Sequence, residues 1–315
     1  MRHHRERMPP LRVIAAYAAV SLIWGSTWAA IKIGVTDVPA FVFAFDRAVV
    51  VASILTLVAL LLRQPFPRGA RELAVVIVVG IINTGGSWAI IFWAEQFVPS
   101  GLVAVFGASA PVWTAFLAHF LVKGDRLSAL KIAGLGFGLL GIALLVGAPG
   151  ASESATVLLA TGLLVLMSIA WAAAAILQAR FLRRVAPIPT VAVGTWAAVL
   201  FLVPFALAQA GAPQRWSGAS ALAFGYLVIF GTSIGMVLQM WLFRKLRPTT
   251  ITLIQVIVPA EAILIGALWL GETVTAQMLG GAALVAAAVA LNALAGRGMP
   301  SAADRARAAA AAAAK

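Results

Sequence analysis

Residues 247–262, RPTTITLIQVIVPAEA, repeat the punctuation of residues 98–113, VPSGLVAVFGASAPVW. Pro248 answers Pro99, and Pro259 answers Pro111. The register continues downstream, where LGETVTAQMLGGAALVAAA at 270–288 matches KGDRLSALKIAGLGFGLLG at 123–141, with Glu272 against Asp125 and Gly281 against Gly134. Upstream, Trp171 answers Trp24. The five separations are 147, 149, 148, 147 and 147 residues. One such match arises by chance in a Gly- and Ala-rich chain, whereas five in register mark a duplication.

What is duplicated is apolar. Hydrophobic residues make up 63% of the 315 positions and charged residues 10%, with a mean hydropathy of +1.02. A soluble domain of this length cannot bury so much apolar surface. The apolar residues fall in blocks of about 20, the length that spans a hydrocarbon core of roughly 30 Å. Ten spans are predicted, at 13–34, 39–62, 72–94, 99–122, 128–147, 156–179, 188–210, 220–243, 248–270 and 274–296. Backbone groups in lipid must be satisfied within the segment, and no stretch alternates like barrel strands, so the spans are helices. The first, at about 22 residues, exceeds a signal-peptide core, and the repeat requires it as a retained helix.

The net charge of +13 would suit nucleic acid, but its placement does not. With the N-terminus in the cytoplasm, 20 of the 23 Lys and Arg residues fall on the cytoplasmic side, Lys32 and Arg215 fall outside, and Arg47 lies within the membrane. This bias orients the chain with both termini cytoplasmic. Five spans per repeat is an odd number, so the halves insert with opposite orientations. Inverted repeats with interrupted helices are a transporter architecture, with the solute site near the midplane. The expected fold is therefore all-α, ten transmembrane helices in two inverted five-helix repeats. Residues 1–11 form a cytoplasmic N-terminal segment, 12–147 the first repeat, 148–155 an outer loop, 156–296 the second repeat and 297–315 a low-complexity cytoplasmic tail. With no cysteine there is no disulfide, thiolate metal site or Cys nucleophile. No zinc motif, nucleophile–base pair, Walker A loop or dinucleotide fingerprint is present, so no catalytic residue, metal or cofactor is expected.

The motif SLIWGSTWAAIKIG at 21–34, the two segments joining a proline to Gly-Asp or Gly-Glu, and the duplicated ten-helix layout resemble the drug/metabolite transporter superfamily, in particular its EamA-type bacterial branch. The resemblance covers residues 12–296. It implies a transporter of the bacterial cytoplasmic (inner) membrane, exporting small metabolites such as amino acids or related amphipathic compounds by alternating access. It also implies a central cavity lined by spans 1–4 and 6–9. Members of that branch often carry an acidic or polar residue just before the second-half proline, where Val258 stands here. The rival reading is a membrane-embedded sensor or enzyme without transport.

Ionisable and amphipathic side chains deep in the spans are the candidate site. By the 1.5 Å rise per residue, Arg47 lies about 12 Å from the outer end of span 2 and Glu261 about 20 Å from the inner end of span 9, in the same layer as Trp24 and Asn83. Charges at such depth are paired or face water. Arg47 can hold a substrate carboxylate by a two-pronged contact, while Glu261 or Asp46 can bind an ammonium or carry a coupling proton. Equally, an Arg47–Glu261 ion pair can serve packing alone. Trp24, Trp113 and Trp171 suit a cavity wall or helix packing, and Gln255 is a further polar candidate. Pro111 and Pro259 free the carbonyls of Gly107 and Gln255 and act as paired hinges or static bends. The expected partners are a small-molecule substrate and the lipid bilayer, with no nucleic acid. Glycines of spans 5 and 10 suit close packing or a homodimer through those spans, leaving monomer and homodimer both open.

Overall fold

The computed structural model describes residues 10–122, 127–146, 154–182, 185–243 and 254–296. The N-terminal segment except its last two residues, nearly all of the 148–155 loop, the 297–315 tail and the side chain of Gln255 lie outside the described residues. Among the described residues ten helical segments run in chain order: α1 (Leu11–Asp37), α2 (Ala40–Leu61), α3 (Ala70–Ala94), α4 (Ser100–Leu121), α5 (Ala129–Val146), α6 (Ala155–Phe181), α7 (Pro187–Gln209), α8 (Gly218–Tyr226, Leu227–Ile234 and Gly235–Phe243), α9 (Ile254–Leu270) and α10 (Ala276–Gly296). Seven of these, α1 to α4, α6, α7 and α10, are long and apolar enough as they stand to cross a membrane. α5, α8 and α9 contribute shorter apolar stretches at 129–145, 218–234 and 256–270.

The segment ends follow local chemistry. Pro39 and Pro99 stand immediately before α2 and α4, where a missing N–H costs the helix nothing. Ser154 and Ser217 cap α6 and α8 by accepting from the N–H groups of Val157 and Ser220, at 3.3 and 3.1 Å. Gly271, at φ +65°, ends α9 in the left-handed region that glycine enters without a Cβ penalty.

The duplication is visible in the packing. α2 lies against α7, α5 against α10 and α4 against α9, each pair self-related by the repeat. Further contacts occur as related couples: α1 with α9 and α6 with α4, α1 with α8 and α6 with α3, α3 with α7 and α8 with α2. Glycines let these helices approach. A Cβ on Gly80 of α3 would collide with the Gly194 backbone of α7, and one on Gly25 of α1 would stand 2.6 Å from the Glu261 Cβ of α9. At the α5–α10 contact, a Cβ on Gly141 would lie 2.9 Å from the Gly281 carbonyl, and one on Gly134 3.0 Å from Asn292 Nδ2. Gly134, Gly141 and Gly281 are thus occupied by packing within the chain, whereas Gly136 faces open space.

Among the described residues, Ile81–Gly86 in α3 and Leu227–Ile234 in α8 depart from α-helical winding and are π-helical. Shifted by the 147 residues of the repeat, the first falls on the second. Hydroxyls accompany them both: Ser87 Oγ donates to the Ile82 carbonyl at 2.7 Å, Thr232 Oγ1 to Leu227 at 3.2 Å and Ser233 Oγ to Val228 at 2.9 Å, each reaching back five residues. A widened turn leaves carbonyls that such side chains can satisfy. The two prolines, by contrast, behave differently. Pro111 follows a break at Ser109, where α4 divides into Ser100–Ala108 and Ala110–Leu121, whereas Pro259 sits inside unbroken α9.

Candidate functional site

A cavity of about 410 Å³ occupies the middle of the bundle between the two repeats, bounded by α1, α2, α3, α6, α7 and α8. It reaches Gln178 of α6 and Thr190 of α7, each about one turn from the end of the bundle where residues 62–69 join α2 to α3. At the opposite end it stops below a packed aromatic cluster. There Phe43 meets Phe92, Trp216 and Phe224 at centroid distances of 5.7, 5.7 and 5.5 Å. Phe43 and Phe92 are fully buried, which closes that end.

Among the described residues Arg47 is the only ionisable side chain lining this cavity. It is 5% exposed. Its guanidinium lies 4.2 Å from the centre of the Trp88 ring and its Nη2 donates to Thr232 Oγ1 at 3.0 Å. Stacking and one hydroxyl partner hold the fork in place, yet Nε has no hydrogen-bond partner. Two other lining residues carry buried polar atoms without partners, the Asn83 Oδ1 acceptor and the Trp28 Nε1 donor. Unpaired polar atoms in a buried site are costly unless a ligand or water completes them.

Tryptophans form much of the wall: Trp24, Trp28, Trp88 and Trp171. The repeat relates Trp24 to Trp171, and the environments correspond. Trp171 Nε1 donates to Ser87 Oγ at 2.6 Å, just past the π-helical segment of α3. Trp24 Nε1 lies beside Gly235, just past that of α8, where an added Cβ would stand 2.9 Å away. Each π-helical segment thus contributes polar lining, Asn83 and Thr84 from α3 and Thr232 from α8.

Of the residues singled out from sequence, Trp24, Arg47, Asn83 and Trp171 are brought together here. Glu261 is placed elsewhere. Its carboxylate accepts from Ser21 Oγ at 3.1 and 3.0 Å, within the α1–α9 contact, and Arg47 has Thr232 and Trp88 for neighbours instead. Asp46, one position before Arg47, points to a shallow pocket of another face with Phe45, Val49 and Trp216. Trp113 does not border the cavity, and its Nε1 is buried without a partner. Pro259 borders a smaller space behind Trp24, Trp28 and Trp171. A separate cavity of about 570 Å³ lies among α4, α9 and α10, where the described lining residues, such as Val105, Pro259 and Val285, are all apolar.

Residues missed from sequence include Trp28, Trp88 and Thr232, because helical phase within an apolar run does not declare which face meets the cavity. The signal for Thr232 was the Gly-Thr-Ser triplet at 231–233, which answers Thr-Gly-Gly at 84–86.

Two inverted helical repeats around a central, partly polar cavity define a membrane transport protein. The chain belongs to the EamA-like transporter family, whose model matches it twice, at residues 11–147 and 158–294. It is a multi-pass secondary transporter of the bacterial inner membrane and not a member of an enzyme family. The "Uncharacterized inner membrane transporter YedA" of Escherichia coli (strain K12) is 30% identical over 268 residues, covering 84% of this chain and 85% of that protein. The "Probable terminal-alkyne amino-acid exporter" of Streptantibioticus cattleyicolor is 26% identical over 289 residues, covering 89% and 93%. A solved crystal structure superposes with a TM-score of 0.61 at 20% identity, covering 92% of this chain and 99% of that one, which supports the fold alone.

Proposed function

We propose that the protein exports small, carboxylate-bearing amphipathic metabolites of the amino-acid class, with Arg47 as the carboxylate-binding residue. The observation that carries this reading is a buried guanidinium in the cavity wall with Nε unpaired and, among the described residues, no acidic side chain in the lining, Glu95 lying outside it. A carboxylate offers that fork two charge-assisted hydrogen bonds. Trp28 Nε1 adds a donor, Asn83 Oδ1 accepts an N–H or O–H of the solute, and the indole faces take its apolar part. The name printed for the Streptantibioticus cattleyicolor relative, an amino-acid exporter, agrees with that chemistry.

Lys and Arg placement puts both termini in the cytoplasm. The cavity then extends toward the cytoplasm and is sealed at the outer end by Phe43, Phe92, Trp216 and Phe224, a conformation suited to loading solute for export. Rocking of the repeats would open the aromatic seal. The paired π-helical segments of α3 and α8 are natural points of flexure, because their widened turns are less tightly bonded than α-helix, and the Ser109 break before Pro111 is a third. Neither Asp46 nor Glu261 borders the cavity, so a coupling role for either would have to act from outside it.

Binding can be followed by the protein's own tryptophans. Titration of purified protein with aromatic and aliphatic amino acids and their 2-oxo acids is expected to give a saturable fluorescence change with at least one carboxylate. Arg47→Lys, which loses the planar fork, is expected to weaken it about 10- to 100-fold, the worth of one charge-assisted contact. Equal affinities in wild type and Arg47→Lys would count against the assignment.

A further inference from the structure

A buried acid outside the cavity has no role in the mechanism above. Glu95 follows the last residue of α3, at the closed end of the bundle, and is 0% exposed, with neither carboxylate oxygen hydrogen-bonded. Three charged groups face it from the elements around it: Lys32 of α1, Arg47 of α2 and Glu272 from the α9–α10 connection. None supplies a partner. Lys32 Nζ donates to the main-chain carbonyls of Glu95 and of Val98, the latter at 3.1 Å, binding α1 to the end of α3. Glu272 accepts from Ser100 N and Oγ at 2.8 and 3.0 Å, binding the α9–α10 connection to the start of α4. Arg47 bonds Thr232. The Glu95 carboxyl is therefore enclosed where elements of both repeats meet. An ionised carboxylate without hydrogen bonds is costly there, and a neutral carboxyl far less so.

We propose that Glu95 is a proton-binding site of the transport cycle, protonated in the closed conformation seen here and deprotonated when this end of the bundle opens. Opening parts the contacts of Lys32 and Glu272, water reaches the carboxyl, and one proton passes from it to solvent on that side. Closing takes one proton back from the same solvent. Burial pushes the Glu95 carboxyl well above the usual carboxylate range, Lys32 and Arg47 oppose this, and Glu272 adds to it. The closed form holds the proton more tightly than the hydrated open form, so falling pH favours closure and rising pH favours opening. The inference rests on the alternating access proposed above, but not on the identity of the solute.

The test uses the full chain in lipid vesicles. The absence of native cysteine lets Gln96→Cys and Ala212→Cys carry spin labels across the closed end without background. In the wild-type background a short inter-label distance is expected at low pH, with a longer one appearing as pH rises. Glu95→Gln, which copies the shape of the protonated carboxyl, is expected to stay at the short distance throughout. By infrared difference spectroscopy, a protonated-carboxyl C=O band should be present in wild type, fade over the pH range in which the long distance appears, and be missing in Glu95→Gln. A wild-type distance indifferent to pH would overturn the proposal, as would a Glu95→Gln distance that follows the wild-type curve or a carboxyl band unaltered by that substitution. The wild-type band and distance together still decide the matter if the variant fails to fold. Neither readout needs a substrate, so a failure to find the transported carboxylate would not be confused with failure here.

Discussion

Arg47 shows how a guanidinium is held deep in an apolar bundle. A lipid-depth guanidinium needs partners, and here one ring face, one hydroxyl and one unsatisfied Nε share the task. Its place in the cavity was legible from depth alone, because a charge about 12 Å into a span must face something polar. That Glu261 would turn to Ser21 was not legible, since the Arg47–Glu261 alternative and the substrate alternative share the same depth. Gly80 belongs to the same scale. Its missing Cβ is filled by the Gly194 backbone, so α3 and α7 cross at backbone contact beside the cavity. Gly80→Ala is expected to destabilise the protein by about 1–3 kcal/mol through overpacking, read as a lowered midpoint of thermal unfolding in detergent. Gly136→Ala, with open space around it, is expected to leave the midpoint unchanged.

At the scale of the helix, the sequence foretold ten spans and their order, because runs of about 20 apolar residues leave few alternatives in lipid. The symmetric proline pairing misled in one respect. Equal positions in the repeat produced unequal geometry, a break at Ser109 before Pro111 and a continuous helix through Pro259. A proline removes one backbone bond, and neighbouring packing decides whether the helix then parts or merely bends. The π-helical segments were invisible beforehand, since their Gly and Thr residues read as ordinary small side chains in an apolar run. A hinge at Ser109 implies a difference between the two prolines. Pro111→Ala is expected to restore helical bonding across the break, slow hydrogen exchange at residues 107–112, and reduce transport. Pro259→Ala is expected to do so far less. Equal effects would remove the hinge assignment from α4.

Across the whole molecule, inverted duplication explains why the most extensive helix contacts come in related pairs and why a polar cavity lies between the halves. The orientation drawn from 20 basic residues on one side is testable in cells, again because the chain has no cysteine. A cysteine at Ala212 is expected to react with an impermeant maleimide added outside spheroplasts, and one at Gln64 only after permeabilisation. The reverse pattern would turn the transporter around and make the observed conformation outward-facing.

The transport cycle drawn above depends on carriage of a carboxylate through the Arg47 cavity. It is tested by uptake of radiolabelled amino acids, their 2-oxo acids and their decarboxylated amines into vesicles containing the wild-type protein or Arg47→Lys. At least one carboxylate should accumulate above empty vesicles, its amine counterpart should not, and Arg47→Lys should cut the rate about 10- to 100-fold. Movement of the amine as fast as the acid, with Arg47→Lys unimpaired, would contradict it.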